Sequence, residues 1–187
     1  DRPLRAQPPA DRVLFTDNPV SVTPDAVKRR PVRRWLDMIA AHQPVRRIAI
    51  DAGLHAMARL ANVLPPMRQR MSMARLFEDL EYARPDGTAL HLDVLQPLGP
   101  GPHPVLIYLH GGAFAIGSKR THRALAAAYA SRGYLVCNVD YRLAPQFPFP
   151  AAVEDACAAW QWAATHIQDY GGDPRRMALA GESAGAN

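Results

Sequence analysis

The sequence contains no run of eighteen apolar residues, so nothing in it reads as a membrane-crossing helix. It has two cysteines, Cys137 and Cys157, which is too few for a disulfide framework. Each lies in an apolar run and is expected to be a buried small hydrophobe, not half of a disulfide or a metal pair. No His/Cys/Asp cluster has ligand spacing and no G-x-x-x-x-G-K occurs, so neither a metal, a phosphate loop nor any other cofactor is expected. Residues 1–75 carry fourteen Lys/Arg against six acids, net +8, but these basic residues have no aromatic interleaving. A solvated helical face is therefore the expected reading and a nucleic-acid partner is not, with an anionic membrane surface left open. What remains, 48% apolar and 21% charged residues in 187, is the composition of an ordinary soluble domain with a sizeable core. A cytoplasmic location is the expectation, although the chain opens on Asp1 and its true start is not seen.

Proline is abundant instead, eighteen in all, clustered before Pro31, at Pro65-Pro66 and from Pro97 to Pro104, where loops or linkers are expected. Thr23-Pro24-Asp25 and Pro31 have the form of helix starts, the second followed by Val32, Trp35, Leu36 and Ile39 at helical spacing. Ile50, Leu54, Met57, Ala61 and Leu64 make a further apolar stripe, with Arg47, Asp51, His55, Arg59 and Asn62 on other faces, ended by Pro65-Pro66. Such a stripe is usually core packing, and a peripheral membrane helix is its rival.

From Leu76 the apolar period changes to two. Leu76–Arg84 and Ala89–Leu95 are expected to form a hairpin around Pro85-Asp86-Gly87-Thr88, with His91 and Asp93 on a wetter face. Val105–Leu109 and Tyr134–Val139 are continuously apolar, as interior parallel strands are. Alanine-rich Thr121–Ser131, stopped by Gly133, predicts a helix, and Pro150–Tyr170 another, with Val153, Cys157, Trp160 and Ala164 on one side. Met177–Ala180 is the last expected strand, behind a turn at Gly171-Gly172-Asp173-Pro174. A hairpin followed by strand–helix–strand units implies an α/β protein with a mixed sheet and parallel crossovers.

Two glycine-bearing segments follow expected strands. Gly181-Glu182-Ser183-Ala184-Gly185 is a G-x-S-x-G between strand and helix, the pattern that lifts a serine hydroxyl clear of a sheet on a turn only small neighbours allow. Alone it is weak, since glycine and serine are common in loops. His110-Gly111-Gly112-Ala113-Phe114 lies 73 residues upstream, directly after the Val105–Leu109 run. Its tandem glycines are either a plain turn or a pair of backbone N–H donors for an oxyanion, completed by the amide of Ala184. The two segments together are far more specific than either.

With the block Asp140-Tyr141-Arg142-Leu143-Ala144-Pro145-Gln146 and Phe149-Pro150-Ala151-Ala152-Val153-Glu154-Asp155, these segments resemble α/β-hydrolases of the hormone-sensitive-lipase-like carboxylesterase and lipase family. The resemblance covers roughly Arg75 to Asn187. Ala113 stands where a third glycine is usual and Gln146 where an acid is usual, and neither departure touches the expected donors. The resemblance implies an α/β-hydrolase fold: a mixed, mostly parallel sheet with crossover helices, cut short after the nucleophile elbow. Residues 1–74 become an N-terminal helical cap region and 75–187 the N-terminal portion of the catalytic domain. It implies a serine carboxylic-ester hydrolase acting on small-molecule esters, with Ser183 as nucleophile and Gly111, Gly112 and Ala184 as oxyanion donors. His110, Glu182, Asp140, Arg142 and Asp155 become supporting residues, the last three pinning the proline-rich loop.

A serine needs a base, and in this fold class the triad runs Ser, then acid, then His. Only Ala184, Gly185, Ala186 and Asn187 follow Ser183, so the acid and histidine are expected beyond residue 187 and the chain alone is expected to be inactive. His110 reads as loop scaffold. No motif places His122 or His166, and His42, His55, His91 and His103 read as ordinary polar histidines. Glu182 is a poor base because neighbours across a sharp elbow point apart. A non-catalytic ligand-binding protein on the same scaffold, or a fragment needing a second chain, are the alternatives.

Overall fold

The computed structural model describes residues 44–187. The helix starts expected at Thr23-Pro24-Asp25 and Pro31, and the Val32, Trp35, Leu36 and Ile39 stripe, lie outside the described residues. Two helices come first, α1 (Pro44–Val63) and α2 (Pro65–Met71), parted at Leu64 because the prolines suit a first turn but cannot continue a ladder. No described helix is long and apolar enough to cross a membrane.

The strands are β1 (Ala74–Ala83), β2 (Leu90–Pro97), β3 (His103–Leu109), β4 (Leu135–Val139) and β5 (Gly172–Gly181). Helix α3 (Arg123–Ala130) joins β3 to β4, and α4 (Ala151–His166) joins β4 to β5. Sheet order is β1-β2-β4-β3-β5. The β1–β2 and β2–β4 pairs are antiparallel and β3 is parallel to both β4 and β5, so β2 alone runs against the other four. This mixed, mostly parallel sheet with crossover helices is the expected architecture.

Helices cover both sheet faces, which is why the inner strands are apolar throughout. Val105, Ile107, Leu135, Cys137 and Val139 pack with Ala159, Ala163 and Ile167 on one side. Leu106, Tyr108 and Val136 pack with Met67, Ala126, Ala127 and Ala130 on the other. Each fully buried Val, Leu or Ile contributes roughly 1.5–3 kcal/mol. Cys137 is fully buried, as expected, and burial pushes its thiol up to about 12.

Several expectations are corrected. The wetter face expected of β2 fails at Asp93, which is 0% exposed and held by Lys119 and by Arg123 at 2.8 Å because the Lys119 loop and α3 lie over it, while His91 stays half-buried. Helix α4 buries Ala151, Asp155, Ala159 and Ala163, the small residues that let it lie close to the sheet. The larger Val153, Cys157 and Trp160 face an open cleft instead, so Cys157 is exposed. The α1 stripe is mostly in solvent, with Ile50 56% and Met57 70% exposed. Its docking face is polar: Arg47 donates to the Ala144 carbonyl at 2.8 Å, and Asp51 accepts from the Gly117 amide at 2.9 Å. A helix laid over loops meets backbone groups that need polar partners. Finally, β5 starts at Gly172, and residues 174–176 form an irregularity in its pairing with β3 where a complete turn was expected.

Candidate active site

Leu109 and Gly181, the last residues of β3 and β5, are paired in parallel register. The chain therefore leaves two adjacent strands at their carboxyl ends, where ligands bind in open α/β sheets. One exit begins His110-Gly111-Gly112 and the other Glu182-Ser183.

At the second exit Glu182 is extended and Ser183 turns to φ 51°, opening a single 3-10 turn over Ser183–Ala186. Non-glycine residues rarely hold positive φ, and a backbone so placed stores about 1–3 kcal/mol. Packing enforces the turn: a Cβ on Gly181 would lie 2.0 Å from the Gly185 carbonyl oxygen, and one on Gly185 would lie 2.2 Å from that of Leu109. Ser183 is exposed and Ala184 buried.

At the first exit Gly112 has φ 128°, a conformation for glycine, and its carbonyl accepts from the amides of Ala115 at 2.9 Å and Ile116 at 3.0 Å. Ala113 and Phe114 also have positive φ, 54° and 59°. Gly111 packs on the elbow, since a Cβ there would meet the Glu182 carbonyl oxygen at 3.1 Å and its Cγ at 3.2 Å. Ser183, Ala184, Gly111, Gly112, His110 and Glu182 are thus brought into one neighbourhood.

Supporting residues fix that neighbourhood. The His110 ring is buried, its Nδ1–H donates to the Gly111 carbonyl at 2.7 Å, and burial lowers its pKa to about 4, so it is a neutral scaffold. Tyr141 stacks on it at 4.4 Å between ring centroids and donates its hydroxyl to the His110 carbonyl at 2.5 Å. Arg142 holds the proline-rich loop to the start of α4: its amide donates to Asp155 at 2.7 Å and its guanidinium to Asp155 at 2.8 Å and Glu154 at 3.1 Å. Asp140 accepts from the Lys119 amide at 2.5 Å, and burial raises its carboxyl above the usual range.

Sequence reasoning missed Lys119, Asp93 and His122. Lys119 is 2% exposed and its ammonium bridges Asp79 and Asp93. His122 meets Glu182, Nε2 to Oε1 at 2.8 Å. No spacing signal marks these residues, because their partners come from other strands and loops. Of the remaining histidines, His55 lies 3.7 Å from Asp51, and His166 bonds within its own helix, to the Trp162 carbonyl at 2.9 Å. Among the described residues no group of His, Cys, Asp or Glu could hold a metal ion.

Two hollows adjoin the exits. An apolar cleft of about 620 Å³ is lined by Leu109, Phe114, Trp160, Leu179 and Ala184. A second, of about 380 Å³, lies between α1 and the proline-rich loop, with Arg47, Ile116 and Phe147 in its wall. The first is also walled by Ala186 and Asn187, the last residues of the chain, and neither is lined by Ser183, Gly111 or Gly112.

Residues 106–187 match the model of an alpha/beta hydrolase fold family. Among curated relatives, esterase LipI of Mycobacterium tuberculosis is 39% identical over 142 residues, 74% of this chain and 44% of LipI. Carboxylesterase NlhH of the same species is 46% identical over 85 residues, 45% of this chain and 27% of NlhH. Among solved structures, a bacterial heroin esterase superposes with a TM-score of 0.66 and 35% identity, over 78% of this chain and 44% of that one. The chain spans less than half the length of these relatives. The chain has the α/β-hydrolase fold and is similar to the hormone-sensitive-lipase-like carboxylesterases and lipases, and the partial coverage fits an N-terminal part.

Proposed function

We propose that this chain carries the nucleophile and the oxyanion hole of a serine carboxylic-ester hydrolase. The observation that carries the reading is the Leu109–Gly181 pairing, which sends the Gly111-Gly112 loop and the strained Ser183 turn out side by side. Ser183 Oγ attacks the ester carbonyl while the amides of Gly111, Gly112 and Ala184 receive the developing negative charge. One such donor is worth about 2.7–4 kcal/mol in other serine hydrolases. The proton passes to a histidine oriented by an acid, both supplied from beyond residue 187. The alcohol then leaves and water releases the acid from the acyl-serine.

His110, Tyr141, Asp140, Arg142 and Asp155 hold the loops at the spacing this chemistry needs, and Glu182 fills the space against Gly111. Residues 75–187 are read as catalytic scaffold and residues 1–74 as the cap region. The contacts of Arg47 and Asp51 with the loops beneath α1 support the cap reading. The substrate class is a small ester, in keeping with the esterase LipI and carboxylesterase NlhH likenesses, and the family resemblance implies a short to medium acyl chain. Without the acid and histidine the 187-residue chain is inactive by itself. In the full-length protein Ser183→Ala abolishes hydrolysis of p-nitrophenyl butyrate with folding retained. Undiminished turnover in that variant removes Ser183 from the mechanism.

A further inference from the structure

Glu182 lies between two catalytic loops and reaches a third segment. Its backbone precedes Ser183, its carbonyl oxygen and Cγ lie against Gly111, and its Oε1 meets His122 Nε2 at 2.8 Å. His122 stands at the entry to α3, where its Nδ1 lies 2.8 Å from Thr121 Oγ1 and 3.3 Å from the Ser118 carbonyl. Its ring stacks on that of His110, centroids 5.3 Å apart and planes 21° apart. His110 in turn is joined to Gly111 by its Nδ1 hydrogen bond. The contacts therefore close a ring: Ser183 to Glu182, Glu182 to His122, His122 to His110, His110 to Gly111, and Gly111 back to Glu182.

A ring of this kind has a mechanical consequence. The nucleophile loop and the oxyanion loop hang from separate strand ends, and backbone pairing fixes only where each begins. Beyond Leu109 and Gly181 the loops touch through backbone, Gly185 against the Leu109 and His110 carbonyls and Gly111 against that of Glu182, and side chains add the directional ties between them. His122 is 17% and Glu182 44% exposed at the side chain, so the pair is partly shielded from water and holds a defined direction. Lys119 faces away, committed to Asp79 and Asp93, and Arg123 is committed to Glu78 and Asp93. No cation among these therefore substitutes for His122 at Glu182.

We infer that the His122–Glu182 pair is a brace that sets the distance between the Ser183 hydroxyl and the Gly111-Gly112 amides. His122 is a positioning residue, acting through Glu182 and His110 and not on the substrate. The inference rests on the esterase reading for its catalytic consequence, but the brace itself is a property of two loops and has a readout of its own.

The test uses the full-length protein. His122→Ala and Glu182→Ala each lower kcat for p-nitrophenyl butyrate about tenfold with KM nearly unchanged, as loss of alignment does. The double variant loses no more than about tenfold, because both residues belong to one device. His122→Gln, whose amide nitrogen falls where the imidazole Nε2 lies, recovers most of the loss. Single effects that multiply to about a hundredfold, a KM rise at constant kcat, or no change in kcat would each overturn the brace. Amide hydrogen exchange gives the second readout. In either single variant, exchange quickens together in residues 110–117 and 182–186. Quickening confined to the loop that carries the substitution overturns the brace whatever the activity. Turnover that survives Ser183→Ala dismisses the esterase reading, while the exchange result still decides the brace.

Discussion

Replacing Gly112 by alanine puts a methyl carbon 1.9 Å from the Ile116 carbonyl oxygen and 2.8 Å from its carbonyl carbon. If the loop kept its shape, a residue at φ 128° would cost about 1–3 kcal/mol in backbone strain, on top of an overlap no native contact tolerates. If the turn opened instead, Gly112 would lose the hydrogen bonds from the Ala115 and Ile116 amides, about 2 kcal/mol at roughly 1 each. Opening costs less, so the loop moves and the protein stays folded, since about 2 kcal/mol is a fraction of a typical margin of about 5–15. The opened loop would carry the Gly111 and Gly112 amides off the proposed oxyanion position, where a single donor is worth about 2.7–4 kcal/mol, or roughly 10²–10³ in rate. The full-length variant should therefore lose at least about a hundredfold in kcat on p-nitrophenyl butyrate, with a thermal midpoint only a few degrees lower. Gly133→Ala is the control. Its φ is 92°, but nothing lies within 4 Å of the added carbon, so strain appears in the melt and not in turnover. A Gly112→Ala enzyme within about threefold of the parent kcat would refute the reasoning, because the donors would then not sit on this turn.

Two further outcomes follow from the buried charges. Lys119→Met leaves the buried Asp93 with only Arg123 and the Asp79 amide, and the loss of stability in chemical denaturation should be about 3 kcal/mol, the low edge for a broken buried pair; a loss below about 1 kcal/mol would mean that Asp93 is not relying on the ammonium. His110 gives a pH dependence: its folded pKa is depressed from 6.5 to about 4, so the neutral folded form is favoured fully above pH 6.5 and that stability is lost as pH falls toward 4. The depression corresponds to about 3 kcal/mol, and denaturation midpoints from pH 7.5 to 4.5 should fall more steeply in the parent than in His110→Gln; parallel slopes would contradict a buried neutral ring.

The strands were legible because β3 and β4 are buried on both faces and so read as apolar runs. The two exits were legible because close backbone approach leaves glycine no substitute at 112, 181 and 185. What stayed hidden depends on what lies opposite. Val153, Cys157 and Trp160 have the period of a buried stripe, but a helix lying close to a sheet presents its alanines, and the larger side chains turn to the cleft. Asp93 reads as a solvent-facing residue until Lys119 and Arg123, from a distant loop and helix, arrive beside it. Ile50 and Met57 read as core, yet the polar side of α1 makes the contact, because loop amides and carbonyls lie beneath it. His122 has no motif, and its role becomes visible only when Glu182 lies 2.8 Å away.

The most direct measurement of whether Ser183 is an activated nucleophile facing the Gly111-Gly112 amides is covalent trapping. A fluorophosphonate, which a reactive serine attacks with loss of fluoride, is added to the full-length protein and the labelled peptide is read by mass spectrometry. The expected result is one adduct, on Ser183, absent from Ser183→Ala and formed far more slowly in Gly112→Ala. A protein left unlabelled, or labelled at another residue with Ser183 untouched, would contradict it.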